Sequence, residues 1–168
     1  MRESSPGSLR DVGGTGLEKH PSMTSREAIA DLVHRYAEHL DSGDLDAVAA
    51  LFDQATYGRA GGPVRRGAAE VRAALAVVKL HDGSPRTKHV TTNLVIAADD
   101  TAGTASARSY FTVLQATSTL PLQPILAGRY EDRFVRVAGT WRFSERVVHI
   151  DLAGDLHEHL TMPVGTRP

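Results

Sequence analysis

The chain contains no cysteine. Disulfides, thiolate metal sites and a cysteine nucleophile are therefore excluded, and with them redox chemistry by the protein's own side chains. Net charge is almost as scarce, since 19 Lys and Arg stand against 20 Asp and Glu for a balance of -1. No global electrostatic case exists for nucleic acid or an anionic membrane surface, so the expected partner is a small, largely uncharged molecule. Nor does any run approach the roughly 18 consecutive apolar residues of a membrane-spanning helix. The N-terminal MRESSPGSLRDVGGTG has no apolar stretch of the kind a secretion signal needs. A soluble, cytoplasmic protein is expected. Nucleotide fingerprints are missing too: Gly61-Gly62 runs into Pro63, and the GGTG near the N-terminus follows no strand. There is no Gly-x-Ser-x-Gly elbow, and no cofactor is implied.

What is present suits one domain: 168 residues with 41% hydrophobic content can bury a substantial core. Residues 1–22 are rich in Gly, Ser, Pro and charge, a composition that cannot offset its own ordering entropy, and are expected to form a disordered tail. Met23 is then a plausible natural start. The folded domain is expected over 23–153, followed by an irregular C-terminal arm over 154–168.

Thr24-Ser25-Arg26-Glu27 has the form of a capping box, which satisfies the free N–H groups at a helix start. The helix it opens should run to about Leu40. At about 100° per residue, Ile29, Leu32, Val33, Tyr36, Ala37 and Leu40 gather on one face. Tyr36 therefore points inward. Gly43 suits the left-handed position after the helix, and Asp44 can cap a short helix over 45–52. A short strand near 55–59, a glycine-rich turn and a third helix over 67–80 should follow. From Thr87 onward four β-type runs appear: TKHVTTNLVIA, TASARSYFTVLQAT, ILAGRYEDRFVRV and TWRFSERVVHID. Short turns at Asp99-Asp100-Thr101 and Ala138-Gly139 make the sheet mostly antiparallel. Helices first and long strands afterwards indicate an α+β domain with helices packed on one face of a curved sheet.

Asp41 is the anomaly in this pattern. It falls where helix carbonyls carry partial negative charge, which disfavours a carboxylate. Either it is a turn residue bonded to the Ser42-Gly43 backbone, or it is retained for chemistry. His89 begins the first long strand and, by simple alternation, shares a face with Thr91, Asn93 and Val95, opposite Val90, Leu94 and Ile96. Imidazole is the usual proton shuttle near neutral pH, and an aspartate partner would fix its tautomer. A histidine merely hydrogen-bonded at a strand end is the competing reading. Tyr130, Asp132 and Phe134 share one face, as do Trp141, Phe143, Glu145, Val147 and His149 if the last strand has no bulge. His157 and His159 could suggest a metal site with His149, but a solvated arm accounts for them more simply, and no metal site is assigned.

Three phrases carry a family resemblance: IADLVHRYAEHLDSGDLDAVAALF (29–52), KHVTTN (88–93) and GRYEDRFVRVAGTWRFSERVV (128–148). Their order and spacing resemble the SnoaL-like branch of the nuclear transport factor 2-like superfamily, which includes dehydratases of scytalone and of bile acids. The resemblance implies a cone-shaped α+β barrel, three N-terminal helices packed in a strongly curved sheet around a deep apolar pocket. It also implies a cofactor-independent dehydratase, isomerase or cyclase acting on a polyketide- or steroid-like carbonyl compound, or a non-catalytic binder of the same fold. The family's acid-base set falls on Tyr36, Asp41 and His89. Tyr57, Asn93, Tyr130, Arg146 and His149 are the expected substrate-binding residues, the last two at the pocket mouth. A homo-oligomer, dimer or trimer, is the expected assembly. One departure stands out: SYFTVLQ, on the second long strand, offers no acid or base except Tyr110, where the family's dehydratases place a further His or Asp.

Overall fold

A computed structural model describes residues 23–161. The expected N-terminal tail and the last part of the C-terminal arm lie outside the described residues. Three helices, α1 (Ser25–Ser42), α2 (Leu45–Ala50) and α3 (Gly67–Leu75), accompany six strands: β1 (Thr56–Arg59), β2 (Val64–Arg66), β3 (Thr87–Asp99), β4 (Thr104–Gln115), β5 (Gln123–Val137) and β6 (Thr140–Ala153). The strands form one sheet in the order β2-β1-β6-β5-β4-β3. Only the β1–β6 pairing is parallel. The sheet curves strongly around the helices without closing, which gives the expected cone-shaped α+β architecture in an open form. Among the described residues no helix is long and apolar enough to cross a membrane.

Local chemistry fixes both ends of α1. Thr24 and Glu27 form the reciprocal capping box, with Glu27 N donating to Thr24 Oγ1 at 3.3 Å and Thr24 N to Glu27 Oε2 at 2.7 Å. At the other end Gly43 has φ 82°, the left-handed conformation that glycine adopts without strain. A Cβ there would also lie 2.1 Å from the carbonyl oxygen of Gly83. That close approach pins the last turn of α1 against the loop leading into β3, which sets the distance between Asp41 and His89. Asp44 caps α2 by accepting from Ala47 N at 2.9 Å.

The apolar face of α1 (Ile29, Leu32, Val33, Tyr36, Leu40) packs with Val48 and Phe52, Val71 of α3, and the inner face of the sheet, where Phe111, Val113, Ile125, Tyr130, Phe134, Trp141 and Phe143 are buried. Burying a side chain of this size contributes about 1.5–3 kcal/mol relative to exposure.

Bulges bend the long strands and overturn two sequence expectations about faces. Between Thr92 and Val95 two residues of β3 oppose one of β4, with Asn93 at φ 53°. Beyond that point the alternation flips: Ile96 is buried on the inner face with His89, and Val95 is 50% exposed. In β6 the register shifts after Phe143, so Glu145 pairs with Arg133 and Arg146 with Asp132. Trp141 and Phe143 stay inside, Arg146 turns inward, and Glu145, Val147 and His149 pair with Arg133, Glu131 and Arg129 on the outer face. Gly128 of β5 admits a further close approach, since a Cβ there would sit 2.0 Å from His149 O and 2.9 Å from the Phe111 ring.

Two element boundaries also differ from expectation. The third helix ends at Leu75 rather than near residue 80, because the chain then turns to bridge Val78 with Leu160. The glycine-rich segment after β1 is a hairpin turn into β2, a three-residue strand too short to show a pattern in the sequence.

Candidate active site

The last turn of α1 and the first residues of β3 place Asp41 and His89 side by side. His89 Nδ1 lies 2.6 Å from Asp41 Oδ1, His89 N donates to Oδ2 at 2.8 Å, and the Thr87 hydroxyl donates to Oδ1 at 2.8 Å. These donors answer the question the helix electrostatics raised: they compensate a carboxylate that sits at the wrong end of a helix dipole. Burial pushes the Asp41 carboxyl up. The hydrogen bond and charge of His89, its backbone N–H and the Thr87 hydroxyl together outweigh this and hold it below the usual carboxylate range. An ionised carboxylate only accepts, so Nδ1 carries a proton and Nε2 is the ring nitrogen left to exchange one. Side-chain exposure is 5% for His89 and 9% for Asp41, so the pair is largely shielded from water.

A second cluster lies deeper. Arg146 is fully buried and makes a two-pronged ion pair with Asp132, Nε to Oδ1 at 2.8 Å and Nη2 to Oδ2 at 2.7 Å. Its guanidinium carbon lies 4.2 Å from the ring centre of Tyr36 and 4.1 Å from that of Tyr130, so the cation sits in the corner of two nearly perpendicular rings. Burial pushes the guanidinium towards neutrality, but the Asp132 charge and hydrogen bonds more than reverse this. The Tyr36 and Tyr57 hydroxyls are 3.0 Å apart. Burial raises the pKa of Tyr36, and the charges of Tyr57 and Tyr130 raise it further against the opposing Arg146. Burial also raises Tyr57 and Tyr130, with Arg146 opposing in both. All three phenols keep their protons at neutral pH and are hydrogen-bond donors. Arg146 Nη1 has no partner among the described residues.

The structure therefore brings Asp41 and His89 together, and separately gathers Tyr36, Tyr57, Tyr130 and Arg146. It does not bring in Asn93 or His149. Asn93 is exposed at the β3 bulge, where a left-handed backbone and not the strand alternation sets its direction. His149, expected at the pocket mouth, is on the outer face of the sheet. Its Nδ1 accepts from Arg129 Nη2 at 3.1 Å, and its Nε2 lies 3.3 Å from Glu131 Oε1 without the alignment of a hydrogen bond. Arg146 was expected at the mouth as well, and the β6 bulge buries it instead. His157 and His159 diverge, with the former pairing with Asp155 near solvent and the latter buried. Among the described residues no group of three or more His, Asp or Glu could hold a metal ion.

Sequence reasoning missed three site neighbours. Asp132 was noted only for sharing a face with Tyr130 and Phe134. Its signal was available, as an acid in a row of inward aromatic positions. Thr87 stands two residues before His89 on the same face, the spacing at which a strand places neighbours side by side. His159 carries no sequence signal that places it near this site, because its segment lacks periodicity.

The sequence matches the SnoaL-like domain over residues 21–147. No curated protein matches the chain. Among solved structures, a putative scytalone dehydratase from Novosphingobium aromaticivorans is 25% identical with a TM-score of 0.63, covering 85% of this chain and 95% of that one. A nuclear transport factor 2-like protein with a cystatin-like fold from the same organism is 24% identical, with a TM-score of 0.62 over 75% of this chain and 81% of its own. ActVI-ORFA from Streptomyces coelicolor is 20% identical, with a TM-score of 0.63 over 74% of this chain and 95% of its own. The last two likenesses concern the fold alone. With the family match covering residues 21–147, this chain belongs to the SnoaL-like domain family.

Proposed function

We propose that this chain is a cofactor-independent acid-base enzyme that dehydrates, or else isomerises or cyclises, a small apolar polyketide- or steroid-like carbonyl compound. The observation that carries the reading is the 2.6 Å contact between His89 Nδ1 and Asp41 Oδ1, which leaves Nε2 as the basic ring nitrogen. In the proposed reaction Nε2 removes a proton from the carbon next to a carbonyl, and the electron pair of that C–H bond moves onto the carbonyl oxygen as an enolate. The Tyr36–Tyr57 pair shares two protons and uses one in its mutual hydrogen bond, so one O–H remains to stabilise the enolate oxygen. Collapse of the enolate breaks the C–O bond at the β carbon, and the proton held on Nε2 leaves with the hydroxide as water. The base contributes on the order of 10² to 10⁴ in rate and the enolate donor a comparable factor. The name of the 25% identical scytalone dehydratase-like neighbour favours dehydration among the three reaction types.

The test is to incubate the protein with tetralone in deuterium oxide and with a β-hydroxytetralone in ordinary buffer. Exchange of the α protons and appearance of naphthol, both above buffer rates, are the expected results. Recovery of both compounds unchanged would overturn the reading. One observation favours a binding protein of the same fold: the inner face of β4, formed by Ala105, Ala107, Ser109, Phe111, Val113 and Gln115, carries no acid or base. A carrier would return both compounds unaltered while still binding them.

A further inference from the structure

The C-terminal arm is fastened by its backbone to the segment that follows α3. Thr161 N donates to Val77 O at 2.8 Å, Leu160 bridges Val78, and Lys79 N donates to His159 O at 2.8 Å. The carbonyl of Glu158 faces His81 Nε2 at 2.8 Å and accepts from Gln115 Nε2 at 3.1 Å. Gln115 is the cross-strand neighbour of Thr87, whose hydroxyl donates to Asp41. The arm thus carries His159, the residue after Glu158, to the corner where Gln115 stands beside Thr87.

Two buried polar atoms in this corner have no partner among the described residues, His159 Nδ1 and Gln115 Oε1. His159 is 5% exposed and Gln115 1%. The orientation of the Gln115 amide follows from its other end, because Nε2 donates both to Pro85 O at 2.9 Å and to Glu158 O. Oε1 is left as an acceptor. Leaving such an atom unsatisfied costs about 1–3 kcal/mol, which an apolar side chain of the same shape would avoid.

Resting on the reading of Asp41 and His89 as an acid-base pair, we propose that His159 and Gln115 form the hydroxyl-binding end of that site. A ligand hydroxyl donates to Gln115 Oε1, and its oxygen accepts from His159 Nδ1–H. A hydroxyl fits because it is donor and acceptor at once, whereas a carbonyl or ether oxygen would satisfy the histidine and leave the glutamine unpaired. Nδ1 donates in the neutral Nδ1–H tautomer and in the charged ring alike. Burial above all, then the charges of His89 and His81 against the opposing Asp41, push His159 down to about 4 and keep it neutral at pH 7. The arm in this way provides an ionisable side chain that the inner face of β4 lacks, and it holds the hydroxyl that departs in a dehydration.

Binding of β-tetralol and tetralin to the full chain tests the assignment without turnover, since neither compound has a carbonyl. Titration calorimetry should show the alcohol bound about tenfold more tightly by the native protein, the scale of a satisfied hydrogen-bond site. His159→Phe should erase that preference while leaving tetralin affinity unchanged. In the native protein the His159 Nδ1 resonance should move on addition of β-tetralol and stay still with tetralin, a readout that does not depend on the variant folding. Equal affinity for the two compounds, or a preference that survives His159→Phe, would overturn the proposal. Failure of the dyad chemistry would be seen separately, as α-proton exchange that never rises above the buffer rate.

Discussion

His159 should make the fold's stability depend on pH in a way that one substitution removes. In the unfolded chain an imidazole takes up its proton near pH 6.5. In the folded protein burial defers this to about 4. Between those values the unfolded state binds more protons, so the stabilising contribution is complete above about pH 6.5 and is lost as pH falls towards 4. At about 1.4 kcal/mol per pH unit, the loss reaches about 2 kcal/mol at pH 5 and about 3 kcal/mol at pH 4. His159→Gln has no such proton to bind. Urea unfolding of both proteins at pH 7, 6, 5 and 4, analysed by linear extrapolation, isolates the difference, because the carboxylates, Asp41 among them, titrate in both. The native protein should lose about 3 kcal/mol more than the variant over this range. Parallel loss in the two would refute the argument, because the imidazole would then be titrating as though in water.

Two further predictions concern the framework of the site. Arg146→Met leaves Asp132 buried without its partner and should lower stability by about 3–5 kcal/mol in urea unfolding, whereas adding Asp132→Leu should recover much of that loss. Gly43→Ala places a side chain at φ 82° against Gly83 O and should cost at least about 1–2 kcal/mol, read as a lower urea midpoint. The same variant should weaken the downfield His89 Nδ1–H resonance, because the loop beside β3 must move away from Asp41.

Short-range chemistry in this chain was legible, and features that depend on register were not. The capping box at Thr24, the turn at Gly43 and the cap at Asp44 are governed by interactions spanning a few residues, and each appears as its residue types dictate. The inward direction of Tyr36 followed from helical periodicity over a whole amphipathic helix. Asp41 was conspicuous because it contradicted its local electrostatics, and its proximity to His89 follows from that conflict. Strand faces beyond Asn93, and beyond Phe143 where the reading depended on an unbulged strand, differ because one inserted residue reverses the alternation, and nothing in the composition of either strand marks the insertion. The same bulge concealed the Asp132–Arg146 pair, two charges 14 residues apart that meet only when adjacent strands take this register. The placement of His159 rests on long-range backbone hydrogen bonds from a segment with little periodicity, and it could be found only in three dimensions.

The central claim is that Asp41 and His89 act as one base. The most direct measurement is the single-turnover rate of naphthol formation from a β-hydroxytetralone by the native protein, His89→Asn and Asp41→Asn. The account predicts losses of about 10² to 10⁴ for His89→Asn, with Asp41→Asn also reduced because its amide can no longer hold Nδ1–H and leave Nε2 basic. Full rates in either variant would contradict it.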